Sequence, residues 1–163
     1  MNHLKDSEET RNKIHYAYIL VKEYLTYKKG LKELKAGLNK YIYDLDKRKC
    51  LNIRYYSEAL KNEFKRELSF KECERAKCKK TVPDITEEHM ICRSVLRDEF
   101  IKRIEDEGAT EKECFDFLNK HLMICTMKKE EEKKLKRNRP GLEEWKEYYE
   151  KAGINPHPAI NNK

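Results

Sequence analysis

Residues 92–125 decide the predicted fold, and they read CRSVLRDEFIKRIEDEGATEKECFDFLNKHLMIC. Two helical patterns flank a turn at Gly108, and residues 110–113 form a capping box that starts the second helix. Cys92 lies 14 residues before the end of the first predicted helix, and Cys125 lies 14 residues after the start of the second. The arms of an antiparallel hairpin rise equally per residue, so we expect the two cysteines opposite each other, about 21 Å from the turn.

A disulfide between Cys92 and Cys125 would close a loop of about 34 residues and stabilise the hairpin by roughly 3 to 4 kcal/mol. The alternative is that both are buried thiols in the apolar seam of the hairpin. The matched arms and the even count of six cysteines favour the bridge, which implies an oxidising compartment. The sequence leaves the other four as a second disulfide or as thiols: Cys50, Cys73, Cys78 and Cys114.

A metal site is the rival use of these side chains. Cys73, Cys78, His89 and Cys92 are four residues of the types that bind zinc. However, Cys73 and Cys78 lie about 140° apart around a predicted helix and cannot both face one ion unless that helix breaks. We therefore expect neither a metal site nor a cofactor.

The composition favours an all-α, extended protein with a disulfide-pinned hairpin and long flanking helices. Charged residues make up 41% of the chain, and only 5 glycines and 4 prolines are present, too few for the turns of a sheet-based fold. We expect a helical N-terminal arm over residues 1–81, including one helix from about 54 to 80. The hairpin spans residues 82–127. Residues 128–163 then form a charged helix extension, a short amphipathic helix and an extended tail.

Catalytic signals are missing from the sequence. It has no glycine-rich phosphate loop and no serine nucleophile motif, and its five histidines are scattered. The ten tyrosines are predicted to be packing and interface residues. We therefore predict a non-catalytic protein without catalytic residues.

The net charge of +7 comes from interleaved acidic and basic residues, which is typical of a solvated surface. Attraction to anionic lipid headgroups, acidic proteins or RNA is the alternative, and basic tracts occur at residues 47–49 and 133–139. No apolar run approaches the roughly 20 residues of a membrane span. Residues 1–10 carry neither a secretory signal nor an Arg-rich presequence pattern, so we expect any organelle import to use another route.

The spacing of Cys92, Lys102, Cys114 and Cys125 resembles the twin-cysteine hairpin of mitochondrial CHCH proteins. Lys102 stands where that pattern has a fourth cysteine, so the resemblance implies an outer bridge without the inner one. The stretch Lys80-Thr81-Val82-Pro83-Asp84-Ile85-Thr86 and the following Cys92 are similar to the PDSW subunit family of respiratory complex I. The Glu107-Gly108 turn and Tyr148-Tyr149 extend that similarity.

The resemblance implies an accessory subunit of complex I, bound peripherally to the intermembrane-space side of the mitochondrial inner membrane. Its partners would be other subunits of the respiratory chain, with contact to anionic lipid headgroups and with no nucleic acid favoured. Two alternatives stay open. The hairpin followed by Trp145 also resembles subunit VIb of cytochrome c oxidase. The basic tracts allow an RNA-binding mitochondrial ribosomal protein, which would bind RNA with a steep dependence on salt.

Overall fold

The computed structural model describes residues 2–46, 50–78, 84–135 and 141–160. Within them the elements are, in chain order, α1 (Glu8–Tyr27), α2 (Leu31–Leu45), β1 (Ile53–Ser57), α3 (Glu58–Phe64), α4 (Phe70–Cys78), β2 (Ile85–His89), α5 (Arg93–Asp106), α6 (Glu111–His121), β3 (Ile124–Lys128), α7 (Lys129–Glu132), α8 (Trp145–Lys151) and β4 (Pro156–Ile160). They form two compact units, each built from two stretches of chain. The first comprises Met1–Leu51 and Arg93–Leu122, and the second Asn52–Cys92 and Met123–Lys163.

The first unit is a bundle of α1, α2, α5 and α6. Helix α1 packs along α2 and against α5 and α6, while α2 and α6 each also contact α5. The buried side chains recur every three or four residues, as in Ile14, Ala17 and Val21 on α1 and Leu34 and Leu38 on α2. This spacing places them on one face of each helix, and the opposite face stays in water.

A tight reversal joins α1 to α2. The hydroxyl of Ser7 caps the start of α1, and Lys28 ends that helix in the left-handed conformation at φ 52°. Gly30 follows at φ +80°, where a side chain is disfavoured, and α2 begins at the next residue. This short connection forces the two helices to run antiparallel and side by side.

The second unit is built on a four-stranded mixed sheet in the order β2-β3-β1-β4. Strands β1 and β3 are parallel, while β1 pairs antiparallel with β4 and β3 pairs antiparallel with β2. Helix α4 packs against the sheet. The core between them is a cluster of buried side chains comprising Tyr56, Leu60, Leu68, Cys73 and Ala159.

The edge strand β4 carries two prolines in positions that a sheet tolerates. The backbone N–H of Glu58 donates to the carbonyl of Asn155. Because hydrogen-bonded residues alternate along an antiparallel ladder, the backbone N–H and C=O groups of His157 and Ala159 point toward β1. Pro156 and Pro158 therefore face the open edge, where their missing N–H groups break no ladder bond. This segment was expected to be extended, and it is a strand.

The all-α prediction is wrong, because four segments form strands. The core of the predicted hairpin is present: α5 and α6 flank Gly108 at φ +64°, and Thr110 with Glu113 forms the predicted capping box. Its outer ends are β2 and β3 instead of helix. The segment after α6 reads Met-Ile-Cys-Thr-Met, and its side chains are buried over successive positions, as expected for a central strand with both faces covered.

The predicted disulfide between Cys92 and Cys125 is also wrong. The antiparallel ladder places Glu88 opposite Cys125, and it continues with a hydrogen bond from Met90 N–H to the Met123 carbonyl. Cys92 comes four residues after Glu88, beyond the end of β2 and the bend at Met90 and Ile91, and it is paired with no residue of β3. A disulfide requires Cα atoms within about 7 Å, and none of the five cysteines whose side chains are described is bridged.

Candidate functional site

The cysteines are divided between the two units, and three of them pack as protonated thiols. Cys50 and Cys114 are buried in the first unit, and Cys73 and Cys125 in the second, while the side chain of Cys78 lies outside the described residues. Burial raises the pKa of Cys73 and of Cys114 to about 12, and it raises the pKa of Cys125 as well. A nucleophile must be a thiolate, so these three residues serve packing.

The zinc alternative gains no support from the geometry. Cys73 is buried on α4, His89 ends β2, and Cys92 lies in the loop that precedes α5. Within the part of the chain that the structure describes, no three or more His, Cys, Asp or Glu side chains are grouped so that they could hold a metal ion. Cys78, the fourth member of the sequence pattern, lies outside the described side chains.

An apolar surface on α1 and α2 is the feature best suited to binding. Among the described residues, six large hydrophobic side chains are exposed, and all but Ile160 lie on this helix pair. We call these five residues the hairpin surface, after the α1–α2 helix pair and not the predicted hairpin of residues 82–127. They are Tyr16, Ile19, Tyr27, Leu31 and Tyr43. Their number on one helix pair contrasts with the scattered single apolar residues of an ordinary protein surface.

The tyrosines of this surface are partly pre-positioned. The ring of Tyr16 on α1 stacks on that of Tyr41 on α2, with centroids 6.3 Å apart and the planes at 20°. The guanidinium of Arg93 lies over the ring of Tyr43, 5.3 Å from its centroid. Tyr27, beside the reversal, is 72% exposed. Rings already held in place lose little conformational entropy when a partner covers them.

The helix pair is held against α5 by polar contacts at its rim. Lys28 forms an ion pair of 2.7 Å with Glu105, and Lys35 lies 3.7 Å from Asp98. Arg97 donates to the side-chain oxygen of Asn39. These contacts fix the helix pair to α5.

A second cluster lies where β1 and β4 meet in the second unit. The imidazole of His157 hydrogen-bonds Glu58, and it stacks on the ring of Tyr56 at 5.6 Å between centroids. The hydroxyl of Tyr56 donates to Glu67, which also pairs with Lys61 at 2.7 Å. Burial, followed by the bond to Glu67, raises the pKa of Tyr56 to about 12, so it remains a proton donor within this network.

Sequence reasoning missed this cluster. His157 and Glu58 are 99 residues apart, and only the pairing of β1 with β4 brings them together. No local motif carries that information. The cluster joins α3 to the sheet, and each of its carboxylates already has a cation or a hydrogen-bond donor.

Clefts of ligand size are also present in both units. The first unit holds one of about 510 Å³, with Ile14 and Phe115 in its lining and the Arg11–Asp6 pair at its border. The second unit holds one of about 490 Å³ against Trp145, Tyr149 and other residues. Apolar clefts of this size fit small ligands, but they need convergent polar groups for specificity. Arg11 is already bound by both oxygens of Asp6, which reduces its use for recognition.

No helix among the described residues is long and apolar enough to cross a membrane. The basic tract at 47–49 and residues 136–139 of the tract at 133–139 lie outside the described residues. Comparison with known proteins adds no relative: no family model, no curated protein and no solved structure matches this chain.

Proposed function

We propose that this chain is a non-catalytic subunit that assembles with a larger protein through the hairpin surface. The observation that carries the proposal is that, among the side chains that the structure describes, five of the six exposed large hydrophobic ones lie on α1 and α2. Isolated exposed apolar residues are normal, but several on one element mark a binding surface. Tyrosine is also enriched at the centre of protein interfaces, because its ring is apolar and its hydroxyl still finds a hydrogen bond.

The chemistry of the rest of the chain supports a binding role. The buried thiols of Cys73, Cys114 and Cys125 are protonated, and the acid–base cluster around Tyr56 is internally satisfied. By contrast, 57% of Tyr16 and 72% of Tyr27 are exposed to water. Covering each such side chain gains roughly 25 cal/mol for every Å² of apolar surface removed from water.

An accessory subunit of respiratory complex I is the specific assembly we propose. Its support is the sequence similarity of residues 80–86, Cys92, the Glu107-Gly108 turn and Tyr148-Tyr149. Residues 80–83 lie outside the part of the chain that the structure describes, and Ile85 and Thr86 start β2. The inference of an intermembrane-space location depended on the bridge between Cys92 and Cys125, and the ladder separates those residues. The proposal of a complex I subunit therefore depends on the sequence similarity and on the non-catalytic role that we propose for this chain and that an accessory subunit would have.

The test is to express the tagged chain in the cells that naturally produce it, to separate the extract on a native gel, and to identify the proteins that migrate with it. We expect the protein in an assembly much larger than its own 19.7 kDa. The double variant Tyr16→Asp, Tyr27→Asp should move it to the monomer position. Both side chains are exposed, so folding should change by little, and a thermal melt checks this.

Ile160→Asp is the matched control, since Ile160 is exposed as much as Tyr16 but lies outside the helix pair. It should leave the assembly intact. A wild-type chain that migrates only as a monomer would reject the proposed function. Co-migrating respiratory subunits would support the specific assembly, whereas a different set of partners would reject it and retain the general one.

A further inference from the structure

The ammonium group of Lys13 lies at a junction of three acceptors in the first unit. Its Nζ is 2.8 Å from Glu9 Oε1, 3.2 Å from the carbonyl oxygen of Asp44 and 3.3 Å from the Sγ of Cys50. A lysine ammonium has three N–H donors, so each donor has one acceptor. The contact with Cys50 joins α1 to the segment that follows α2, across 37 positions of sequence.

The fold holds both the Nζ of Lys13 and the Sγ of Cys50 in place. Cys50 is fully buried, and its carbonyl accepts a hydrogen bond of 2.7 Å from the Lys5 N–H. The next residue, Leu51, pairs with Leu4 as an isolated bridge. Lys13 is fixed by α1 and by Glu9, and 16% of its side chain remains exposed. Atoms held in contact react far faster than the same groups free in solution.

The other buried cysteines provide a comparison within the same chain. Among the described side chains, no ammonium lies within hydrogen-bond reach of Cys73, Cys114 or Cys125, whereas the sulfur of Cys50 accepts from one. Cys50 therefore differs from the other three in the group that faces its sulfur.

We propose that Lys13 and Cys50 form an oxygen-bridged covalent cross-link, Nζ–O–Sγ, when the protein meets molecular oxygen. The inference is independent of the hairpin surface and of any partner. The N–O and O–S bonds form, while the O–O bond of the oxidant, two N–H bonds of the ammonium and the S–H bond break. Two of the hydrogens leave in one molecule of water, and the third leaves as a proton. Nitrogen and sulfur together supply the four electrons that reduce the oxygen molecule.

The bridge would tie α1 to the segment that follows α2, and it would be reversible. Two molecules of a dithiol reductant return the amine, the thiol and a second molecule of water. A cross-link restricts the unfolded chain by closing the loop between its ends, so it raises the thermal midpoint of the unit that contains it. The modification is therefore a redox-dependent brace of the helical unit.

The experiment uses the full chain, purified with reductant and then divided between air-saturated and anaerobic buffer. Intact mass and a non-reducing peptide map are read after each treatment. We expect the aerobic sample to gain one oxygen atom and lose two hydrogen atoms, with the change on a joined pair of peptides that contain Lys13 and Cys50. Dithiol should restore the original mass and lower the thermal midpoint.

Three variants locate the reaction. Cys50→Ser and Lys13→Arg should abolish the mass change, and the arginine keeps the positive charge of the site. Lys112→Arg is the matched control, because Lys112 is paired with Asp116 at 2.8 Å, and it should cross-link like wild type. An unchanged aerobic mass, or oxygen added to Cys50 without joined peptides, overturns the proposal. If Lys13→Arg does not fold, the wild-type comparison of aerobic and anaerobic samples still decides.

Discussion

The hydroxyl of Ser57 donates a 2.6 Å hydrogen bond to the carboxylate of Glu131, although 74 positions of sequence separate the two residues. Both side chains are buried, and Glu131 also accepts from the backbone N–H of Lys128. The Ser57 hydroxyl accepts in turn from the N–H of Leu60, which caps α3. One side chain thus ends β1, starts α3 and satisfies a buried carboxylate that follows β3.

Ser57→Ala should destabilise the protein by about 2 to 3 kcal/mol. Loss of the cap costs about 1 kcal/mol, and removing a donor from a buried carboxylate adds about 1 to 2 kcal/mol. Urea unfolding measures the change. Ser7→Ala is the control, because Ser7 caps α1 by accepting from the Thr10 N–H and has no buried carboxylate, so it should cost only about 1 kcal/mol. Equal costs for the two variants would mean that the Glu131 bond adds nothing.

Alkylation of the native protein should distinguish the cysteines. With iodoacetamide near pH 8 and no reductant, we expect Cys92 to react first, because it is the partly exposed thiol among the five described. Cys73 and Cys114, whose pKa values burial raises to about 12, should react only on the timescale of unfolding, as should Cys125. Peptide mapping gives the order. If Cys92 and Cys125 both resisted labelling until a reductant was added, the ladder register reported above would be contradicted.

The parts of the fold that sequence could predict are those encoded locally. The turn at Gly108 and the cap at Thr110 are specified by neighbouring residues, and both are confirmed. The same kind of signal occurs at Ser69 and Glu72, where a cap starts α4. Recognising it would have divided the long helix expected over residues 54–80, and would have freed the segment of β1 for another structure.

The sheet could not be predicted from local pattern. Tyr55 pairs with Cys125 across a parallel ladder, a contact between residues far apart in sequence. A buried apolar run such as Met123 to Met127 is compatible with a core helix or with a central strand, and periodicity does not separate the two. The prediction of a disulfide assumed that Cys92 and Cys125 both lie on helices of equal length beside the turn. It is wrong because Cys92 precedes α5 and Cys125 lies in β3.

The hairpin surface was partly foreseeable. The tyrosines were expected to be packing and interface residues, but the sequence does not say which face of α1 meets the bundle. Val21 and Ile14 are buried, and Tyr16 and Tyr27 are not, because the other helices of the unit pack on one side of α1. The contact between Lys13 and Cys50 depends on the same packing and carries no local signal.

The close approach of α1 and α2 predicts a coupling between Gly37 and Leu20. A Cβ atom on Gly37 would lie 2.7 Å from the Cδ2 of Leu20, so the leucine would have to change conformation. Replacing glycine by alanine in a helix gains about 1 kcal/mol, and an off-rotamer leucine costs about 0.5 to 1.5 kcal/mol. Gly37→Ala should therefore have little effect in wild type and stabilise the Leu20→Ala protein by about 1 kcal/mol.

Ala36→Gly provides the control for this double-mutant cycle. Ala36 is exposed on the same helix, so the substitution should cost about 1 kcal/mol in both backgrounds. Denaturant unfolding of the variants measures each step. If Gly37→Ala had the same effect with and without Leu20, the seam between the helices would not be as close as the structure shows.

The carboxylate of Glu72 should contribute a measurable part of the acid sensitivity of the protein. Arg66 donates to both its oxygens, and the Ser69 N–H and hydroxyl donate at 2.9 and 2.8 Å. The arginine bonds first, and then those from Ser69, lower the pKa of Glu72 to about 2. The unfolded chain therefore binds a proton at higher pH than the folded one. Stability from this group is present above about pH 4.5 and is lost as the pH falls toward 2.

Glu72→Gln should accordingly flatten the dependence of unfolding free energy on pH between about pH 5 and pH 2, while lowering stability at neutral pH. Urea unfolding at a series of pH values measures both effects. Glu147→Gln is the matched control: the pKa of Glu147 is lowered by its bond with Lys151, but no backbone donor or cap accompanies that pair. Its curve should remain nearly parallel to that of wild type, since an exposed pair one helical turn apart contributes little. Parallel curves for Glu72→Gln and wild type would show that the Arg66 and Ser69 contacts do not hold the carboxylate in solution.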